Sequence, residues 1–407
     1  MMARWWAWQL AAATLAAVYL RPSQCGNAEF SSDTLINNLV MDPRTGRLYV
    51  GAINNLYQLN PDLHVEHQVK TGPKKDDQRC TPPITSACDS AADTPNHNKL
   101  LLVYEEEDKL VVCGSLFRGI CAFRNLSNVE KLVYYSDTTG EKSYVASSEA
   151  GVSVVGVTST FKTENNALLH VAKGYGTHDS AKLISTRTLQ NFSDWVNFDN
   201  IVESSTVQAN SFASIYSHDF RFAFKDGGFL YFLFSRKLGQ QGTKNFTFIA
   251  RLCENDKHYY SYTELPLNCS ATNKYNKAQV NIYLNHFCPI RSYSCGEEFL
   301  PSPLAGKAAF ALTAEPSFVR KSHMTAVAVA VVTEHAVAFL GTSTGEVINS
   351  RLFFCATFLF VTLQFFSLLR ALKITKVPVQ SCHLKQDCQS CVSMKDPYCG
   401  WCVLEGK

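Results

Sequence analysis

The chain has 407 residues, 46% of them hydrophobic and 18% charged, with a formal net charge of +3. That length makes two or three domains, or one large β architecture with an appendage, and it brings enough apolar side chains for a sizeable core. So small a charge imbalance gives no basis for a nucleic-acid partner or a polybasic membrane surface.

At the N-terminus, Arg4 precedes the apolar run WWAWQLAAATLAAVYL, and RPSQCGNA follows it. The small residues Ser23 and Cys25 offer a cleavage site, so residues 1–25 read as a signal peptide. A retained anchor helix is the alternative, for which the run falls short of the ~20 residues a span needs. Removing Cys25 leaves fourteen of the fifteen cysteines, which in an exported chain suggests a disulfide framework. Glycosylation sequons at Asn125, Asn191 and Asn245 agree with passage through the secretory pathway to the exterior or the cell surface. NCS at Asn268 is a poorer fourth.

Strand patterns then dominate. GRLYVGAINNLYQL (46–59) is a short apolar strand, a Gly-containing turn and a second alternating strand. DKLVVCGSLFRGICAF (108–123), ALLHVAKGYGTHDSAKLISTRTL (167–189), GGFLYFLFSRKLGQQGTKNFTFIARLC (227–253) and HAVAFLGTSTGEVI (335–348) repeat the plan. Gly51, Gly114, Gly174 and Gly341 end the first strand of these pairs, where a glycine supplies a turn. Units that cannot bury their own faces, repeated several times, point to a β-propeller; a string of β-sandwiches is the alternative. The repeat of about sixty residues exceeds the ~40–50 of common blades, so long loops are expected.

Between the strands, KKDDQR (74–79), DSAADTPNHN (89–98) and EEED (105–108) read as solvated loops or a hairpin tip. KGYGTHDS (173–180) is either a plain long turn or a functional loop on a blade edge. RLFFCATFLFVTLQFFSLLRALKI (351–374) stands out: its apolar core, Leu352–Leu369, is at the low edge of what crosses a membrane. Five cysteines then crowd the end, with CQSC at 388–391 and CGWC at 399–402. Four thiolates at that spacing suit zinc, and CGWC suits a redox dithiol, but an exported chain favours disulfides. There is no H-E-x-x-H, no G-x-S-x-G and no phosphate-cradling loop, so no cofactor or metal is implied and an enzyme is not expected.

NLVMDPRTGRLYVGAINNLYQLNPDL, VKTGPKKDDQRCTPPI, NKLLLVYEEEDKLVVCGSLFRGICAFRNLSNV and RLCENDKHYYSYTELPLNC resemble the sema domain of plexins, and MTAVAVAVVTEHAVAFLGTSTGEV favours the B class. VPVQSCHLKQDCQSCVSMKDPYCGWC resembles the start of a plexin–semaphorin–integrin (PSI) module. The resemblance covers most of residues 30–350 and all of 375–407. It implies an all-β fold, a sema-type propeller of seven blades in the family, followed by a truncated PSI stub. It also implies a receptor for semaphorins, of class 4 for the B class, that binds here without its signalling region. Membrane attachment would come from further parts of the receptor, or through 352–369. A propeller-type enzyme such as a glycosidase is the competing class, and a misassembled fragment without its own function is a third reading.

Two departures from the family pattern matter. Between Cys269 and CGEEF a blade is missing, and after GTSTGEVI the pattern breaks until ITKVPVQSC. The expected division is therefore an incomplete propeller over 26–348, an apolar segment foreign to the family over 349–373, the last propeller strand at 374–380, and the PSI stub at 381–407. Such a ring closes with fewer blades or stays open. The resemblance implies disulfides Cys80–Cys88, Cys113–Cys121, Cys253–Cys295 and Cys382–Cys399, leaving Cys388, Cys391 and Cys402 without partners. Cys269 and Cys288 are orphans able to join each other. Semaphorin contacts carried over from the family fall on Thr177, His178 and Asp179, on Phe198, and on Arg291 and Tyr293.

Overall fold

The computed structural model describes residues 28–138, 144–161, 166–179, 182–189, 206–208, 218–237, 245–256, 259, 261–269, 304–305, 312–314, 319, 321–322, 324–332, 335–344, 346–352, 365–370, 372–378, 382, 385–393, 399, 401 and 403. Strands dominate these residues, and they assemble in chain order into successive antiparallel sheets, the arrangement of a propeller. The first sheet is Ile36–Met41, Leu48–Ala52, Asn55–Leu59 and Val65–Lys70. The second is Asn98–Tyr104, Lys109–Gly114, Cys121–Asn125 and Leu132–Tyr135. The third is Val154–Phe161, Asn166–Lys173, Lys182–Thr188 and Thr206–Gln208. The fourth is Asp219–Asp226, Phe229–Lys237, Asn245–Cys253 and Thr263–Cys269, with short parallel additions at Leu304–Ala305 and Leu312–Ala314. The fifth is Met324–Val332, His335–Thr342 and Val347–Leu352.

The last sheet joins the two ends of the chain. Lys373–Pro378 is its central strand, with Glu29–Ser31 on one side and Phe365–Arg370 on the other. Phe30 and Ile374 sit opposite each other and are buried with Leu48, Val50, Tyr57 and Leu59 of the first sheet. The Phe30 and Tyr57 rings meet edge to face at 5.0 Å. Similar apolar seams join the first sheet to the second through Tyr49, Leu56, Leu101 and Leu110. Val111, Phe123, Leu169 and Val171 join the second to the third, and Ala172, Ile184, Phe232 and Phe248 join the third to the fourth. Each strand alternates its side chains between two faces, so a sheet with both faces apolar must be covered twice, and adjacent sheets do the covering along these seams.

The structure refines two expectations. The segment 349–373, expected to be foreign to the family pattern, contributes strand near both ends. Asn349 to Leu352 pair with the middle strand of the fifth sheet, and Phe365–Arg370 pairs with Lys373–Pro378. A run rich in Phe, Val, Thr and Leu suits a pleated, half-covered surface as well as it suits lipid. Among the described residues no helix is long and apolar enough to cross a membrane. The second refinement concerns glycine. A Cβ on Gly51 would lie 2.3 Å from the Asn98 side chain of the next sheet, and one on Gly114 would lie 2.1 Å from Asn96 Oδ1. Both glycines are there for close approach rather than for a turn. The turn glycines proper are Gly227 and Gly228, both at positive φ, in the two-residue hairpin that sets Asp226 opposite Phe229.

Disulfides join Cys80 to Cys88, Cys113 to Cys121 and Cys382 to Cys399. Cys113 and Cys121 face each other directly across adjacent strands. Cys253 is also in a disulfide, while Cys295, its expected partner, lies outside the described residues, as do Cys288 and Cys402. Cys269 ends the strand Thr263–Cys269. Cys388 and Cys391 are unbonded thiols on a short helix.

A polar chain crosses the third sheet. Ser159 Oγ lies 2.8 Å from His170 Nε2, His170 Nδ1 lies 3.0 Å from Thr186 Oγ1, and Thr186 Oγ1 lies 2.6 Å from the Tyr259 hydroxyl. Burial pushes the His170 pKa down to about 3, and burial holds His218 at about 4. Both imidazoles are therefore neutral in the folded chain, whereas in the unfolded chain they take up protons below about pH 6.5. Their contribution is complete above that pH and is lost as pH falls toward the folded values, at up to about 1.4 kcal/mol per pH unit for each ring. His170→Gln is expected to lower the urea midpoint at pH 7.5 and to make its fall between pH 7 and 5 shallower than in the wild type. An unchanged pH slope would contradict the assignment.

Candidate functional site

The loop after Asn166–Lys173 folds back on itself before Lys182–Thr188 begins. A Cβ on Gly174 would lie 2.7 Å from the His218 carbonyl oxygen, and one on Gly176 would lie 1.9 Å from Asp179 Oδ2. Only glycine allows the chain to wrap so closely around the aspartate. The Asp179 side chain is fully buried and 3.8 Å from the equally buried Lys173 ammonium. The backbone N–H and the hydroxyl of Ser148 donate to Asp179 Oδ1 at 2.9 and 2.8 Å. One residue on, Glu149 Oε1 accepts the Thr177 N–H at 2.6 Å. The loop is thus pinned from below to residues 148–149, which lead into the third sheet.

More charge lies beneath it. The Lys99 ammonium donates to the carbonyl oxygens of Glu149, Ala150 and Val152 at 2.8, 3.1 and 2.5 Å, which satisfies its three N–H groups. Burial pushes Lys99 and Lys173 down to about 8 each, against the opposing pull of Asp179 and Glu149. Arg187, also buried, donates to the Tyr144 carbonyl at 2.9 Å, and burial lowers it to about 9. Cations taken out of water in this way need a counter-charge and a full set of acceptors to be tolerated. Asp179 is the buried carboxylate nearest to hand.

Of the six residues expected to meet a partner, the structure brings together only those of this loop. Thr177 is exposed and His178 half-exposed, but the Asp179 carboxylate faces inward and anchors the loop. Phe198, Arg291 and Tyr293 lie outside the described residues. Tyr175, 36% exposed at the loop tip, joins Thr177 and His178 on the outer surface. An aromatic residue between two glycines is the signal that sequence reasoning passed over. Asn125 ends the strand Cys121–Asn125, its Oδ1 accepting from the Ser127 N–H and hydroxyl at 2.9 and 2.5 Å, and Asn245 begins Asn245–Cys253, half-buried; Asn191 lies outside the described residues. No group of three or more metal-ligating side chains occurs among the described residues.

Residues 381–407 match the family model "PSI: Plexin repeat". Across 93% of its length the chain is 31% identical to Plexin-B2 of Mus musculus. The chain is related to the B-class plexins. It spans about a quarter of that relative's length, with 26% covered. The plexin fold is equally evident in structure: the chain superposes on the plexin A4 extracellular region with a TM-score of 0.80 at 23% identity, covering 94% of this chain and 50% of that one. A chain from the complex of Drosophila Plexin A with Semaphorin 1b gives a TM-score of 0.57 at 12% identity over 94% of this chain and 92% of that one. The strand pairs, seams and terminal sheet described above therefore match the sema-type fold of the plexin A4 extracellular region, and a PSI repeat matches at 381–407.

Replacing Asp179 by Ala removes the counter-charge of buried Lys173, and breaking such a pair from one side costs about 3–5 kcal/mol. Asp179→Asn keeps an acceptor for Ser148 and is expected to cost less. Urea unfolding followed by limited proteolysis at residues 174–181 measures both effects. Equal, near-wild-type stability in the two variants would refute the anchoring role.

Proposed function

We propose that this chain is the ligand-binding region of a semaphorin receptor, exported and displayed outside the cell, and that its ligands are class 4 semaphorins. It acts by binding and not by catalysis, and no residue of it is assigned to signalling. The B-class relationship and the fold shared with the plexin A4 extracellular region support the reading. The observation that carries it is the loop 174–179: its outward side chains are free for a partner while its carboxylate is fixed underneath. A pre-shaped loop loses little conformational freedom when a partner lands on it, which favours affinity. Under the same proposal residues 1–25 are the signal peptide, the propeller extends from residue 26, and the PSI module starts at 381. Phe198, Arg291 and Tyr293 are proposed as further contacts on the family resemblance alone.

Interface energy concentrates in a few Tyr, Trp and Arg residues. Tyr175→Ala and Arg291→Glu are each expected to weaken binding of a class 4 semaphorin ectodomain by about tenfold, or about 1.4 kcal/mol, in surface plasmon resonance on the secreted chain. Unfolding midpoints should stay at the wild-type value. If both variants bind within threefold of wild type, the surface is elsewhere. If the wild type binds class 4 semaphorins no better than other semaphorins, the choice of ligand fails while the surface survives.

A further inference from the structure

Apart from the 174–179 loop, a second site lies between the outer strand of the first sheet, Val65–Lys70, and the face of the second sheet. A cavity of about 130 Å³ opens there. Leu116, Ile120 and Val112 form its apolar floor, and three cationic side chains line it: Lys70, Lys74 and Arg124. None of the lining residues is acidic.

Two of the cations are held in place by something other than an acid. Lys74 projects from the ribbon Lys74–Asp76, its ammonium 5.7 Å from the centre of the Phe117 ring and 5.2 Å from that of Tyr135. Arg124 donates through Nη1 to the Val129 carbonyl at 2.8 Å, and its Nε is buried without a hydrogen-bond acceptor among the described residues. Lys70 ends its strand at the exposed rim. The closest acids are engaged elsewhere or stand outside the cavity. Asp76 accepts the N–H of Phe117 at 2.7 Å and that of Asp77 at 2.9 Å, and Asp137 bears on the Tyr135 hydroxyl from beyond the lining. Three like charges around one hollow repel one another, and a buried unsatisfied N–H on one of them calls for an acceptor.

The size of the cavity limits the answer. It has room for several water molecules but is well short of the ~300 Å³ of a drug-sized pocket. It takes an anionic group borne by a larger molecule rather than a whole ligand. We propose that this groove is a binding site for a sulfated glycan, with one sulfate seated among Lys70, Lys74 and Arg124. The apolar rim, where Leu132 is 52% exposed beside the lysine, suits the C–H face of a sugar ring that carries the sulfate. The choice of a glycan as carrier rests on the extracellular placement proposed above; the seat for an oxyanion does not.

The test uses the secreted chain and a heparin-derived tetrasaccharide, its desulfated counterpart and a sulfotyrosine peptide, by surface plasmon resonance in 0.15 M NaCl. The sulfated sugar is expected to bind at least tenfold more tightly than the desulfated one. Lys70→Gln/Lys74→Gln should lower that affinity at least tenfold without moving the unfolding midpoint. Lys75→Gln/Lys225→Gln removes the same charge from two lysines that are paired with Asp93 and Glu254 and do not line the groove, and should change it less than twofold. Arg124→Gln, whose site is partly buried, is read only alongside its thermal melt and should follow the groove pair. Equal losses in the groove and control pairs would reduce the effect to net charge and overturn the proposal. So would indifference to desulfation, the absence of binding, or tighter binding of the sulfotyrosine peptide than of the sugar.

Discussion

Glu29–Ser31 pairs with Lys373–Thr375, and the Thr375 hydroxyl reaches a glutamate 346 residues away. Everything else in the fold leans on that ladder. Without it the last sheet would lose a strand, Phe30 would leave the seam it shares with Tyr57 and Ile374, and the first sheet would present a bare apolar face. The Lys376 N–H to the Ala28 carbonyl and the Ser32 N–H to the Leu372 carbonyl, both at 2.8 Å, extend the junction beyond the three paired residues. Bringing together such distant segments has an entropic cost that grows only slowly with the length enclosed. Its larger consequence is kinetic, because contacts so far apart in sequence form late and slowly.

The interior chemistry is equally dependent on neighbours. Lys99 belongs to the second sheet, yet its ammonium ends among carbonyls that lead into the third. Asp179 belongs to a third-sheet loop and is held by Ser148 from the segment before that sheet. These contacts do in polar terms what the Phe, Leu and Val seams do in apolar terms: they lock adjacent sheets at one relative position. A charged group is a more exacting lock than a methyl, since it tolerates neither water loss without acceptors nor displacement from them. That is how a surface loop rich in glycine acquires a definite shape.

Much of this architecture was legible in the sequence. Strand alternation and hairpin turns are local signals, and they marked the paired strands of 46–59, 108–123 and 227–253 correctly. Cysteines eight residues apart, at 80 and 88 and at 113 and 121, announce loops short enough to staple. What escaped was whatever depends on the next sheet. Gly51 reads as a turn residue until Asn98, from another sheet, is found where its side chain would be. Asp179 reads as an outward loop carboxylate because nothing nearby in sequence announces Ser148, 31 positions away. The segment 349–373 reads as an intruder because the family pattern breaks there, and only the register with Lys373–Pro378 shows Phe365–Arg370 to be strand. In the candidate loop Thr177 and His178 reach the surface, while the Asp179 side chain is turned inward to Ser148 and Lys173.

The order of strands in the last sheet has a mechanical meaning. Lys373–Pro378, the strand that hands the chain on toward residues 381–407, lies between Glu29–Ser31 and Phe365–Arg370 rather than at an edge. A pull on the chain beyond Pro378 along the strand direction therefore loads two ladders at once. Ladder bonds lie across the strands, so such a pull shears many of them together instead of peeling them singly. A force applied between residue 28 and the same exit is a different case. Glu29 faces Thr375 at the end of the ladder nearest both points, so that force opens the pairing bond by bond. The junction resists tension transmitted from the C-terminal side and yields to tension on the N-terminal strand, which gives the domain a strong and a weak direction set by three residue pairs.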